Sequence, residues 1–397
     1  MRSYRMTAAS RRWMVAAAGL AALPACTLDA NNPGAITEPG LENESAVVAL
    51  VQGVVGDYDF AFHRSSLYSG LISDEVRASA SYATWKSADL EGKIDPNAAA
   101  AGIQNIPAEW WVRLQRARVI SELAYDRVNG AVVGQQRPAL LALTRVYSGM
   151  AYRDLAEYFC SAAYDAGPKV ERKESLERAR TYLTESIALA NEAGVDSVAN
   201  LARLIRAQVN YSLGDLDAAL ADAHAVPQGF RWFAHYRDGA YEVNETANFM
   251  LREGIATIQE PFWNTGDPRV PVKANGKGAD GTTLRYDQQK YRFDTNMPIG
   301  KWQEARLIEA EIQLGRGNVD GTITLLNQVR TAAGLAPLAS SLTAAQAETA
   351  LRTERKHELF LEGERMLDMR RWGLFPQGWQ ATCVPIPASE VATNPNF

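Results

Sequence analysis

The feature that most constrains the fold is a helical pattern that occurs twice. Leu204-Ile205-Arg206-Ala207 leads to Gly214-Asp215-Leu216 and Leu220, and Leu307-Ile308-Glu309-Ala310 leads to Gly317-Asn318-Val319 and Ile323, offset by 103 residues (307 − 204). In both copies a small residue stands seven positions before a glycine, and a polar residue after the glycine can cap a second helix. The small residue lets two helices approach closely, and glycine accepts the tight turn between them. This is the pattern of a tetratricopeptide hairpin. Such a hairpin buries its apolar face only by stacking on neighbours, so several units must form one body.

Helical periodicity extends over most of the chain. It predicts helices over 42–62, 107–128, 138–158, 175–192, 198–213, 216–224, 301–314 and 319–331. Residues 138–192 read as a further hairpin, crossed between its helices by 154–168, and 42–62 pairs with 107–128 in another. The predicted fold is mostly α, a tetratricopeptide-like scaffold forming a single domain over 41–397. Long irregular loop insertions with short β-hairpins interrupt it at about 65–106 and 227–297. Gly and Pro punctuate both insertions, and Leu284/Tyr286 with Tyr291/Phe293 alternate as short strands do. Loops this long inside a compact scaffold are functional or disordered, and their aromatic content disfavours disorder. Trp and Tyr faces stack on sugar rings, while Asp, Asn and Arg bond hydroxyls. The competing reading is that these aromatics plug the core beneath the loops. The candidates of the second insertion are Trp232, Trp263, Tyr286 and Tyr291.

The densest charge lies in 343–372, TAAQAETALRTERKHELFLEGERMLDMRRW. Thr343 and Gln346 form a capping box. Strong helix formers follow up to Gly363, where the helix should end or bend before 366–372 resumes. Glu354, Glu358 and Glu362 share a face at i, i+4, i+8 and repel if left alone; Arg355 and Arg365 can each reach one of them at i, i+3. Three readings compete: a solvated salt-bridged helix, an ion network locking the helix to the body, and acid/base catalysis. The network leads, because no nucleophile, metal motif or orienting histidine accompanies the glutamates.

The segment TERKHELFLEGERMLDMRRWG resembles the C-terminal signature of the SusD/RagB family, ER-x-x-EL-x-x-EG-x-R-x-x-D-[LM]-x-RWG. Glu354, Arg355, Glu358, Leu359, Glu362, Gly363, Arg365, Asp368, Met369, Arg371, Trp372 and Gly373 fall on it. The tail CVPIPASEVATNPN resembles the family's closing PIP-x-x-E-x-x-x-NPN. The likeness covers 298–397 clearly and the early part loosely, where LYSGLISDEVRASASYATW is similar to the family's SDE-containing region. It implies a nutrient-uptake lipoprotein of the outer membrane, more on its surface than on its periplasmic side. Such a protein captures oligosaccharide or peptide and delivers it to a SusC-like TonB-dependent barrel, without catalysis. It also places ligand contacts in the insertions, favouring Asp74, Arg77, Tyr82 and Trp85.

The amino terminus fits this. Arg2, Arg5, Arg11 and Arg12 precede an apolar run, 13–25, shaped as a signal peptide over 1–25. The run ends Leu23-Pro24-Ala25-Cys26, a lipobox that would make Cys26 the lipidated first residue, followed by a flexible tether over 26–40. Losing the leader takes away four arginines and moves the net charge from −5 to −9. That acidity argues against nucleic acid as a partner. Cys160 and Cys383 remain, as a disulfide in an oxidising compartment or as two buried thiols. The four histidines, His63, His224, His235 and His357, are scattered; no metal or cofactor motif is present. A tetratricopeptide lipoprotein scaffold in envelope assembly is the alternative, and a glycan hydrolase using two carboxylates the third.

Overall fold

The structure is a computed structural model that describes residues 44–98, 102–131, 134–239 and 242–397. Cys26, the expected leader and the expected tether lie outside the described residues. The helices are α1 (Glu44–Ile72), α2 (Ala83–Glu91), α3 (Ile106–Gly130), α4 (Arg137–Tyr158), α5 (Arg172–Glu192), α6 (Asp196–Leu213) and α7 (Leu216–Ala225). They continue with α8 (Glu245–Ala247), α9 (Trp302–Gly315), α10 (Val319–Ala332), α11 (Ala344–Glu358), α12 (Arg365–Arg371) and α13 (Ala388–Thr393).

The repeated pattern forms two hairpins, α6–α7 and α9–α10. Gly214 and Gly317 sit at φ 82° and 78°, in the left-handed region that costs a side chain most. Asp215 and Asn318 then cap α7 and α10 by accepting from the backbone N–H of Ala218 and Gly321. The hairpins stack as the sequence requires. Leu204 and Ala207 of α6 and Ala219 and Ala223 of α7 meet Trp302, Ala305 and Ile308 of α9 in one apolar cluster. On the far side of α9, Leu307 and Ala310 pack with Leu326 and Val329 of α10 and Leu351 of α11. The largest cluster joins α1, α3, α4, α5 and α6 with the insertions, around Trp85, Trp110, Tyr147 and Phe262.

Helix α1 runs ten residues beyond the expected end at 62. Ser65, Ser66 and Ser69 read as loop residues but are helical; Ser65 Oγ donates back to the Ala61 carbonyl of the same helix at 3.2 Å, and tertiary partners take the other two hydroxyls. Ser66 Oγ donates to the Leu361 carbonyl at 2.7 Å and Ser69 Oγ to that of Gly363 at 2.6 Å. The first insertion therefore begins after residue 72 rather than at 65. By length and composition α1 could cross a bilayer, yet it packs within this body against α3 and α4.

Three antiparallel strand pairs occupy the insertions: β1 (Val76–Ala78) with β3 (Ala256–Ile258), β2 (Arg231–Ala234) with β6 (Met297–Lys301), and β4 (Val272–Lys277) with β5 (Leu284–Gln288). Leu284 and Tyr286 do lie in a strand; Tyr291 and Phe293 do not. The partner of β5 is β4, which is exposed along almost its whole length and so has no alternation to read.

Candidate functional site

The signature segment closes on the body. Thr343 and Gln346 form the expected capping box, and α11 ends at Glu358, five residues before Gly363. A tight turn follows over 359–364, with Leu361 at φ 57° and Gly363 at φ 88°. The ends of α1 and β1 grip it: besides the two serines, Glu75 accepts the Leu361 amide at 2.8 Å. Burial pushes the Glu75 carboxyl up to about 8.

The glutamates are balanced from elsewhere in the chain, not by local arginines. Glu354 meets Arg269 at 2.8 Å and also Arg330. Glu358 lies 3.0 Å from Lys301 and 3.3 Å from Arg269, while Glu362 lies 2.7 Å from Lys301 and 2.8 Å from Lys290. Burial alone would lower the Lys301 ammonium; Glu362 and Glu358 outweigh it and raise it. Arg355 pairs with Asp368 at 2.8 Å, and Arg365 holds Asp74 at 2.6 Å, so neither makes the expected i, i+3 pair with a glutamate. Arg371 bridges Asp368 and Glu311, and the Trp372 indole N–H donates to Glu311 at 2.8 Å. His357, half-buried, meets Asp267 at 3.0 Å. Glu354, Glu358, Glu362 and Asp368 are each paired with a cation, in a buried ion network that binds α11 and α12 to both insertions.

The expected ligand residues do not form one site. Trp85 is fully buried, its indole N–H donating to the Ile103 carbonyl at 2.8 Å, so it has no face for a ligand. Tyr291 is likewise buried, 3.5 Å from Glu362. For these two the core explanation prevails, because α2 and the 288–291 turn fold inward over the main cluster. Asp74 is occupied by Arg365. Tyr82, half-buried at the N-cap of α2, packs edge-on against Trp85. Trp232 stands on the β2–β6 pair, its N–H on the Tyr147 hydroxyl at 3.1 Å.

Arg77, Trp263 and Tyr286 are gathered around β3. Arg77 pairs in register with Thr257, and the Thr257 hydroxyl accepts the Tyr286 amide at 2.6 Å, placing β1, β3 and β5 side by side. The rings of Trp263 and Tyr286 stack with centroids 3.7 Å apart and planes 11° from parallel. The Trp263 N–H is fixed on the Ile258 carbonyl at 2.8 Å. Both rings are half-buried and pack against the main cluster. The Arg77 side chain is 41% exposed and leans on Asp89 at 3.6 Å. From behind, Lys86 ties the Ala78 carbonyl to Asp280 and Thr283, bracing the β4–β5 turn against α2. The result is an aromatic face held by hydrogen bonds, with Arg77 on a neighbouring strand, its side chain directed to Asp89 and Gln259; such a face is suited to stacking. Sequence reasoning missed Lys290, Lys301, Arg330 and Thr257, whose partners lie tens to hundreds of residues away.

Residues 306–397 match the SusD family. The whole described body is similar to solved structures of that superfamily. A SusD superfamily protein from Bacteroides vulgatus ATCC 8482 shares 15% identity at TM-score 0.70, over 89% of this chain and 98% of its own. A laminarin-binding SusD-like protein shares 16% at TM-score 0.70, over 90% and 100%. Surface glycan-binding protein A from Bacteroides thetaiotaomicron, in complex with laminarihexaose, shares 15% at TM-score 0.68, over 89% and 98%. No curated protein sequence matches the chain. The fold is that of the SusD family, and so is the C-terminal region. In this SusD-like protein the signature is the ion network itself, and the SDE of the first insertion, Ser73-Asp74-Glu75, is its counterpart. Asp74 and Glu75 meet Arg365 and Leu361, so the two stretches that carry the resemblance touch.

Proposed function

We propose that the protein binds an oligosaccharide through Arg77, Trp263 and Tyr286, without catalysis or cofactor, and delivers it to a SusC-like TonB-dependent barrel. Lipid on Cys26 would hold it at the outer membrane, on the outer surface. The observation that carries this reading is the half-buried Trp263–Tyr286 stack in the second insertion of a SusD-like fold. Two structurally similar proteins are described as binding laminarin or as complexed with laminarihexaose, which supports a glycan in preference to a peptide.

The test is calorimetric titration of the purified protein with laminarihexaose and a panel of other oligosaccharides. Trp263→Ala should weaken binding by about 2 kcal/mol, roughly thirtyfold, as a central aromatic contact does. Failure of every glycan to bind, or an affinity unchanged in Trp263→Ala, would refute the patch. A mild-detergent pull-down from the native envelope tests delivery: a large TonB-dependent barrel should copurify, and be lost with Cys26→Ala. Copurification of envelope-assembly proteins instead would favour a tetratricopeptide scaffold.

A further inference from the structure

A cavity of about 570 Å³ lies between α4, α6, α9, α11 and α12, beside the Cys160–Cys383 disulfide, and shares no lining residue with the aromatic patch. Five arginines and four glutamates stand in its wall. Arg355, with its side chain 3% exposed, gives Nε and Nη2 to Asp368 at 3.0 and 2.8 Å, and its Nη1 has no partner. Arg153 gives Nη1 to Asp154 at 2.9 Å and Nη2 to Glu364 at 2.6 Å, and its Nε is unpartnered. Arg172 stands at the mouth, 39% exposed, with Nη2 on Glu157 at 2.7 Å and Nε unpartnered.

One acceptor is also left over. Gln208 donates Nε2 to Glu304 at 2.5 Å, and its buried Oε1 has no partner. Leaving such groups unmet costs about 1–3 kcal/mol each, more when they are charged. The unmet groups of the wall are thus three guanidinium nitrogens, carrying four N–H between them, against one amide oxygen. Glu157 and Glu364 are already committed to arginines. Burial, with Glu364 next in effect, pushes the Glu304 carboxyl upward. A ligand complementary to this wall is rich in acceptors, negatively charged, and able to donate once.

We propose that the cavity is a second binding site, for a small oxyanion bearing a hydroxyl, held by Arg355 Nη1, Arg153 Nε and Arg172 Nε with Gln208 Oε1 taking the hydroxyl. A sugar acid supplies this chemistry through its carboxylate, hydrogen phosphate through its own oxygens. Guanidinium groups bind both in charge-assisted hydrogen bonds. The site is independent of the glycan reading, and its test removes that patch from view.

Trp263→Ala protein at pH 7 and constant ionic strength is titrated calorimetrically with sodium glucuronate, with inorganic phosphate and with glucose. The expected result is saturable one-to-one binding of at least one anion and none of glucose. Glucuronate alone points to a sugar acid, phosphate alone to a phosphate. Adding Arg172→Gln, at the mouth and away from the core, should weaken binding about tenfold or more; Gln208→Leu is the second variant. The proposal is overturned if neither anion binds to protein that melts cooperatively, or if both variants bind as the parent does.

Discussion

Glu75 sits beneath the 359–364 turn with one oxygen on the Leu361 amide and the other unpartnered. Burial raises its carboxyl from 4.5 to about 8, against the opposing pull of that amide and of Arg365. Between those values the folded chain keeps a proton that the unfolded chain releases. Stability is therefore lost as pH rises from about 4.5 to about 8. Asp59, raised to about 7, and Glu304, raised to about 8, slope the same way. Glu75→Gln keeps an acceptor for Leu361 and removes the titration. It should stabilise the protein at pH 8 by on the order of 2 kcal/mol and change little at pH 4.5. Urea melts at the two pH values check this, and an equal shift at both would refute it. Glu362 is the opposite case, since Lys290 and Lys301 both depend on it. Glu362→Leu leaves two buried ammonium groups undercompensated and should cost about 3–5 kcal/mol in the same melts.

Among the elements, the 359–364 turn shows what the sequence can and cannot disclose. Gly363 was visible as a break, because glycine in a strong helical run has few other meanings. Its strictness was not visible. A Cβ at Gly363 would lie 2.8 Å from the Tyr158 hydroxyl, and its φ of 88° already disfavours a side chain. Gly363→Ala should therefore destabilise by about 2–3 kcal/mol; thermal melts that match wild type would refute this. The long helices and the two hairpins were legible because periodicity and turn chemistry are local. The extension of α1, strand β4 and the cations serving Glu358 and Glu362 were not, since each is fixed by partners far along the chain. For the same reason composition could nominate aromatic residues but not sort fully buried Trp85 and Tyr291 from half-buried Trp263 and Tyr286.

At the scale of the molecule, the C-terminal tail runs back over the early hairpins. Cys383 is joined to Cys160 across 223 residues, and the backbones beside it pair, Val384 N to Tyr158 O at 2.8 Å and Cys160 N to Val384 O at 2.9 Å. Farther on, the Trp111 indole donates to Glu390 at 3.3 Å, Asn394 to the Gly167 carbonyl at 2.9 Å, and Asn396 to that of Ala166 at 2.7 Å. The disulfide closes a loop that contains most of the scaffold, so its main effect is on the unfolded chain, whose freedom it limits. Replacing both cysteines by serine should lower stability by about 2–4 kcal/mol in denaturant melts. Glycan affinity should not change, because the described hydrogen bonds, ion pairs and ring contacts of Arg77, Trp263 and Tyr286 are with residues outside the tail. Reduced stability with full glycan binding would separate the two roles, the tail fastening the scaffold and the insertions meeting the ligand. A variant that melts like wild type would show that the backbone pairing and the asparagines hold the tail without the covalent link, and a variant that loses glycan binding would tie the tail to the patch.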